Sequence, residues 1–144
     1  SQGVAATVKH FALNNKETDR KHSDSRVSER AAREIYLKAF EYVIKGAKPW
    51  AVMSSYNIIN GCYASENKEL LEDILRDEWG FDGMVTTDWW TLGEHYKEVK
   101  AGNDMKMACG DPKRLKEAMD QGLLTRQDLE HCAERVLNLI LKLD

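Results

Sequence analysis

The sequence predicts an α/β fold in which short strands alternate with helices around a parallel sheet. Short runs rich in valine, threonine and other apolar residues, bounded by glycine, proline or polar residues, have the length and composition of buried strands. Between these runs, apolar residues recur at three- and four-residue steps, which is the period of an amphipathic helix. Strands joined by helices run parallel, because each crossover helix returns the chain to the same end of the sheet.

The predicted elements follow the order β-α-β-α-β-α-β-α-α. Strands are expected over residues 3–11, 50–57, 83–88 and 103–108. Helices are expected over residues 28–46, 67–79, 91–100 and 111–122, with a last helix from residue 125 onward. Polar capping residues mark four of the helix starts: Ser28, Asn67, Asp111 before a proline, and Thr125 with Asp128 three residues later. Residues 14–28 are polar without period and predict a long loop, which in a compact domain is usually functional or disordered.

Charge and composition argue against several classes of function. The net charge of −3 comes from interspersed positive and negative side chains, so no basic surface for nucleic acid is expected. There is no run of about eighteen apolar residues and no charged-then-apolar leader, so neither a membrane span nor a signal peptide is expected. The cellular compartment stays open. Cys62, Cys109 and Cys132 lack the close spacing of a zinc or redox motif and are expected to be free thiols.

Asp88 ends the third predicted strand and is followed by Trp89 and Trp90. A carboxylate at the carboxyl end of a parallel strand, beside aromatic side chains, suits an enzyme that attacks a sugar stacked on an indole ring. A structural role is the alternative, because an aspartate between a strand and a helix is also a common helix N-cap. Spacing alone leaves both open. The two tryptophans cannot easily face one cavity, so one is expected to pack and the other to line the site.

The carboxyl ends of parallel strands converge on one face, which makes residues of different strands neighbours. Lys9–His10, Met53, Tyr56 and Asp88–Trp89 are therefore expected to lie together. Each also has a simpler interpretation: the Lys–His pair as basic residues left in water, and Met53 as part of the core. Tyr56 is ambiguous because its hydroxyl stands at a strand end.

The pair formed by Lys9 and His10 carries a further expectation about the backbone. Consecutive strand residues point to opposite faces of a sheet. If both side chains contact one ligand, the pleat must break, and we expect unusual backbone geometry at this peptide.

No metal and no cofactor is expected. Metal-type side chains occur in and beside the long loop, but their spacing matches no known site. These side chains are His10, Glu17, Asp19, His22 and Asp24.

Two architectures fit the order of elements. One is an open doubly wound sheet, and the other is part of a (β/α)₈ barrel, of which four strands would be half. No Gly-x-Gly-x-x-Gly follows the first strand, so the dinucleotide-binding version of the open sheet loses its main support.

A series of short sequence blocks extends over nearly the whole chain. The blocks are residues 9–11 with 14–15, Glu17 and Arg20; residues 29–30, 33–37 and 40–41; residues 53–57 with 60–61; residues 70–71, 75–76 and 78–83; and residues 85, 87–89 and 102–105. In this order they resemble glycoside hydrolase family 3, which usually has Ser-Asp-Trp where this chain has Thr87-Asp88-Trp89. The threonine keeps the hydroxyl.

The resemblance implies a partial (β/α)₈ TIM barrel of about four parallel strands. Residues 1–144 would then be a half-barrel fragment of one barrel domain, and the second domain, which bears the acid/base in this family, would be absent. Asp88 would be the nucleophile of a retaining glycosidase of β-glucosidase type. The pocket for the glycone, the sugar that is transferred, would be lined by Lys9, His10, Met53 and Tyr56, and Trp89 would lie beside the aglycone.

The expected partner is a β-glucoside or oligosaccharide substrate, with no nucleic acid and no membrane. Half a barrel exposes sheet edges, so the isolated fragment is expected to be inactive and to self-associate. Two alternatives stay open: a non-catalytic self-associating half-barrel, and a carbohydrate-binding module that uses Tyr56 and Trp89. The choice among glucose, xylose and N-acetylglucosamine stays open as well.

Overall fold

A three-stranded parallel sheet lies at the centre of the computed structural model, which describes residues 3–143. The strands are β1 (Thr7–Phe11), β3 (Ala51–Ser54) and β6 (Met84–Thr87), in the order β1-β3-β6. All three were expected from their apolar, β-branched composition. β3 and β6 pair without interruption, whereas the register between β1 and β3 shifts within β1.

The expected strand at residues 103–108 is reduced to a single parallel bridge between Thr86 and Met105. The segment still lies along β6, because the Thr87 N–H donates to the Met105 carbonyl at 2.9 Å. Pairing then ends because the Thr87 hydroxyl, rather than a main-chain carbonyl, accepts the Met107 N–H at 3.0 Å. Ala108, at φ 63°, turns the chain away from the sheet.

A smaller sheet, which was not predicted, is built from part of the long loop. β2 (Asp24–Ser25) pairs in parallel with β4 (Ile58–Ile59), and β4 pairs antiparallel with β5 (Cys62–Tyr63). The turn at residues 60–61 closes the β4–β5 hairpin, with both residues at positive φ. Two-residue strands are too short to show alternation in a sequence, which is why β2 was missed.

The helix predicted over residues 28–46 is confirmed in three consecutive pieces. They are α1 (Glu29–Ala31), a π-helical turn (Ala32–Tyr36) and α2 (Lys38–Ala47). Ser28 is the N-cap, and its hydroxyl accepts the Ala31 N–H at 3.2 Å.

The cap predicted at Asn67 is also confirmed. Its side-chain oxygen accepts the Leu70 N–H at 3.0 Å, and a π-helical segment follows over Glu69–Glu78. The wide turn is visible where the Trp79 N–H donates to the Ile74 carbonyl, five residues back.

Three helices complete the chain: α3 (His95–Ala101), α4 (Pro112–Asp120) and α5 (Arg126–Leu143). Asp111 caps α4, and Thr125 and Asp128 form the reciprocal capping box before α5. α3 begins four residues later than expected because residues 91–94 are not helical; the chain turns at residues 89–90, just before them. Within residues 3–143, no helix is both long and apolar enough to cross a membrane.

The helices bury one face of the central sheet. Phe11 is inaccessible to solvent and meets Phe40 and Trp79 edge-on, at ring-centroid distances of 5.1 and 5.8 Å. Val52 of β3 and Val85 of β6 belong to the same apolar cluster. The helices cover this face of the sheet. Because the strands are parallel, the carboxyl ends of β1, β3 and β6 lie together at one edge, which we call the rim.

Candidate active site

Asp88 follows β6 directly and is only 5% exposed. Its main-chain N–H donates to the Ser54 carbonyl at 3.1 Å, which extends the β3–β6 ladder by one residue. One carboxylate oxygen, Oδ1, accepts the Trp89 N–H at 2.7 Å, and the other, Oδ2, lies 3.4 Å from His10 Nε2. Glu94, not Asp88, is the N-cap residue of α3. The helix-cap interpretation of Asp88 is therefore wrong.

His10 and Lys9 have different surroundings at the end of β1. His10 is half-buried against Asp88, whereas Lys9 is exposed, and no partner for its ammonium group is seen within residues 3–143. The peptide bond between them is cis, and so is that between Phe11 and Ala12. The expected break in regular strand geometry is confirmed. The simpler interpretation, that both basic side chains are left in water, holds for Lys9 but not for His10.

Tyr56 lies beyond the end of β3 and contacts the residues after β6. Its hydroxyl donates to the Trp89 carbonyl at 2.6 Å, which joins the ends of the two strands. Burial raises the pKa of Tyr56, and the neighbouring Asp88 carboxylate raises it further. At neutral pH the phenol is therefore a protonated donor.

Two cationic side chains from the loop after β1 cover Tyr56. The Arg20 guanidinium lies 4.7 Å from the ring centroid and Lys21 Nζ lies 5.1 Å from it, both within cation–π range. Lys21 Nζ also donates to the Trp90 carbonyl at 3.1 Å. Sequence reasoning placed Arg20 only in a family block and missed Lys21. The one available signal was the unusual length of the polar loop.

Trp89 and Trp90 are both exposed, at 44% and 58%. Their rings contact each other, tilted by 50° with centroids 5.5 Å apart. Neither ring is buried, so the expectation that one of the two tryptophans packs is wrong. The reason is local: the Trp90 backbone is at φ 54°, and its N–H donates to the Met107 carbonyl.

Met53 lies on β3 opposite Thr86 and is half-buried. Its strand neighbour Val52 belongs to the apolar cluster under the helices, whereas Met53 does not. Since successive strand residues point to opposite faces, Met53 faces away from the helix layer. The core interpretation of Met53 does not hold.

Asp104 supports β6 from the adjacent segment. Its side chain is fully buried, and Oδ2 accepts from the Val85 N–H at 2.7 Å and from Arg76 Nη2 at 2.8 Å. Arg135 Nη1 lies 3.2 Å from Oδ1. Burial raises the pKa of Asp104 while the Arg76 charge opposes that shift, and burial lowers the pKa of Arg76. This cluster fixes the strand that carries Asp88.

The described residues offer no other strong candidate site. Within residues 3–143, no group of three or more histidine, cysteine or acidic side chains is arranged to hold a metal. A cavity of about 400 Å³ lies between the small sheet and the helices, lined by Leu13, Val27, Leu37 and Ile74 among others, and none of the expected site residues lines it. The titratable side chains at the strand ends lie around Asp88 instead, which makes this rim of the sheet the candidate site.

Comparison with known proteins gives the relationship of the chain. Residues 1–139 match the glycosyl hydrolase family 3 N terminal domain. The chain is 62% identical over 130 residues to beta-glucosidase A from Butyrivibrio fibrisolvens, covering 90% of this chain and 16% of that protein. It is 44% identical over 143 residues to an exo-alpha-(1->6)-L-arabinopyranosidase from Bifidobacterium longum, covering 99% of this chain and 19% of that protein.

A solved structure gives the same relationship. The structure of beta-glucosidase 3B from Thermotoga neapolitana in complex with alpha-D-glucose matches with a TM-score of 0.93 at 42% identity, over 97% of this chain and 21% of that one. The chain therefore spans about a fifth of the length of these relatives. The predicted partial barrel is confirmed. With 139 of its 144 residues matched to the family domain, the chain belongs to glycosyl hydrolase family 3, as part of the N-terminal domain.

Proposed function

We propose that this chain carries the nucleophile of a retaining β-glycosidase, that Asp88 is that nucleophile, and that terminal β-D-glucosyl residues are its substrate. The observation that carries the proposal is the Asp88 carboxylate itself. It is nearly buried at a strand end, with a donor at Oδ1 and an imidazole beside Oδ2. A carboxylate oriented from both sides is prepared to attack one carbon atom in one direction.

The reaction would proceed by double displacement. An oxygen of Asp88 attacks the anomeric carbon, and the bond from that carbon to the leaving oxygen breaks as the leaving oxygen takes a proton from a second carboxylic acid. Water then attacks the same carbon and releases Asp88 from the glycosyl ester. The Trp89 N–H and His10 keep the carboxylate in place during both steps.

The side chains around Asp88 have the chemistry of a sugar pocket. The exposed Lys9 ammonium has three protons to donate to hydroxyl groups, and His10 can donate or accept. We propose that these two, with Met53 and Tyr56, line the glycone pocket. Trp89 would offer its exposed ring to the aglycone.

The names of the relatives support the class of substrate. Two of the proteins described above are β-glucosidases, and the third is named for an L-arabinopyranosyl group. We propose β-glucosyl because the more identical relative carries that name. An α-L-arabinopyranoside is the alternative to test beside it.

The second carboxylic acid must lie about 5 Å from Asp88 in a retaining enzyme. We propose that it comes from outside these 144 residues, in a full-length enzyme of which this chain is a part. The isolated chain would then be inactive, and no metal or cofactor would be needed.

The test compares Asp88→Gly with Asp82→Gly in the full-length glycosidase. The first removes the proposed nucleophile, and the second removes an exposed carboxylate six residues earlier. Asp88→Gly should lose nitrophenol release from aryl β-glucosides. Added azide should enter the vacated space and give the α-glucosyl azide. Activity that survives in Asp88→Gly, or a β-glucosyl azide as the product, would exclude Asp88 as the nucleophile.

We also propose that the isolated chain self-associates through its sheet edge. β1 stands at the end of the strand order, so one side of it lacks a strand partner among the described residues. Val4, just before it, is 77% exposed. Sedimentation equilibrium should show a dimer or larger species, and a stable monomer at micromolar concentration would overturn this.

A further inference from the structure

A buried lysine, Lys106, is hydrogen-bonded to the connecting segment at residues 91–93, which follows the two tryptophans. Its side chain is 6% exposed. The ammonium donates to Thr91 Oγ1 at 3.1 Å, to the Gly93 carbonyl at 3.0 Å and to Glu98 Oε2 at 2.5 Å. A lysine has three protons, so these three acceptors satisfy it completely. Two of the three belong to residues 91–93, the connecting segment before α3.

Glu98 accepts the third proton of this cation from the opposite side. It is 1% exposed and lies on α3, and its second oxygen accepts the Ser65 hydroxyl proton at 2.9 Å. Gly93 also approaches closely, since a Cβ atom there would lie 2.5 Å from Glu98 Oε1. The segment at residues 91–93 therefore lies between Lys106 and Glu98. The ammonium group and both carboxylate oxygens all have hydrogen-bond partners.

The backbone on each side of Lys106 holds the residues that flank Asp88. The Met105 carbonyl accepts from Thr87 N–H at 2.9 Å, and the Met107 carbonyl accepts from Trp90 N–H at 3.3 Å. The Lys106 side chain adds hydrogen bonds to the residues that come next along the chain, 91–93. No other charged side chain is seen bonded to that segment within residues 3–143.

We propose that Lys106 is a positioning residue for the aglycone side of the site. It acts through the connecting segment at residues 91–93, and it sets where the Trp89 and Trp90 rings stand relative to Asp88. The inference rests on the proposed glycosidase function and adds to it a determinant of aglycone selectivity that does not touch the substrate.

The test measures selectivity rather than activity alone, in the full-length glycosidase. The kcat/KM for a nitrophenyl β-glucoside, with a large aromatic aglycone, is divided by that for β-glucosyl fluoride, whose leaving group is one atom. In Lys106→Met this ratio should fall about tenfold, the low end of what one apolar pocket contact contributes to discrimination. The fall should come from a raised KM for the aryl substrate. A purely structural loss would lower both kcat/KM values together.

Glu98→Gln is the matched control. It removes the negative charge from the same buried pair but leaves the bonds from Lys106 to Thr91 and Gly93. Any loss of stability from the uncompensated ammonium would lower both kcat/KM values together, so the ratio should stay at the wild-type value. The double variant, Lys106→Met with Glu98→Gln, removes the pair without leaving a lone buried charge and should repeat the fall in the ratio. Gly93→Ala displaces the connecting segment, because the new methyl group would meet Glu98, and should shift the ratio in the same direction.

The outcomes separate the two proposals. If wild-type enzyme hydrolyses neither substrate, the proposed function fails and the role of Lys106 falls with it. If wild type is active and the ratio is unchanged in Lys106→Met, or falls equally in Glu98→Gln, the positioning role is overturned. The same holds if neither variant lacking Lys106 yields folded protein, because the lysine then supports the whole fold.

Discussion

Replacing Asp104 by asparagine should cause one of the largest losses of stability available from a single polar change in this chain. The Asp104 side chain is fully buried and accepts hydrogen bonds from the Val85 N–H and from Arg76 and Arg135. An asparagine keeps one acceptor oxygen and turns the other into a donor that faces a cation. Arg76, whose side chain is 7% exposed, then loses its nearest negative charge.

Breaking a buried ion pair from one side costs about 3–5 kcal/mol. We expect about 4 kcal/mol for Asp104→Asn, since all three lost or weakened bonds are charge-assisted and two of them join the carboxylate to guanidinium groups. With a urea m-value of about 2 kcal/mol/M for a domain of this size, the unfolding midpoint should fall by about 2 M. The control is Asp82→Asn, which breaks an exposed contact to Lys142 and should cost less than about 1 kcal/mol.

The assay is equilibrium urea unfolding of both variants, followed by tryptophan fluorescence and by circular dichroism at the same protein concentration. Coincident transitions would validate a two-state treatment. A midpoint for Asp104→Asn within about 0.5 M of the Asp82→Asn value, at an unchanged m-value near 2 kcal/mol/M, would refute the reasoning. It would show that the buried guanidinium finds other acceptors at little cost.

Three further predictions follow from burial and close approach. Gly83→Ala should destabilise the chain by about 1–3 kcal/mol in the same urea assay, because the new methyl group would overlap the Trp50 carbonyl, and backbone cannot rotate away; an unchanged midpoint would contradict this. Burial raises the pKa of the Cys132 thiol to about 12, so a disulfide reagent at pH 8 should modify the other two cysteines first and Cys132 only in denaturant. Fast labelling of all three in the folded chain would show this wrong. Because burial and Asp88 raise the pKa of Tyr56, its ionisation costs more in the folded than in the unfolded chain, and stability should decrease as the pH rises above about 10. Ultraviolet titration of wild type and Tyr56→Phe should show that the substitution removes the phenol that titrates last, and removal of an early one would contradict it.

Local chemistry was enough to predict most helices and their starts. Ser28, Asn67 and Asp111 cap helices in the structure as their residue types and neighbours indicated. A cap is made within four residues, so the sequence around it contains all the information. The same holds for the apolar runs that became β1, β3 and β6.

Features that depend on contacts between distant segments were missed. The position of Lys21 over Tyr56 joins residues 35 apart, and nothing in the loop composition points to that partner. The ion pair of Glu98 and Lys106 spans only eight residues, but it depends on a helix that starts late and on the irregular segment that replaces its expected first turn. Sequence periodicity describes neither.

The block at residues 102–105 shows how a segment can matter to a site without belonging to its surface. It resembles a strand of the family, yet side chains supply much of its pairing. Asn103 accepts the Ser54 hydroxyl proton at 2.8 Å, and Asp104 accepts the Val85 N–H. The first reaches the end of β3, the second reaches the middle of β6, and Asp88 follows where those strands end. Asn103 and Asp104 are thus polar because their side chains accept hydrogen bonds from β3 and β6. We therefore expect substitutions there to displace Asp88 rather than to change which sugar is bound.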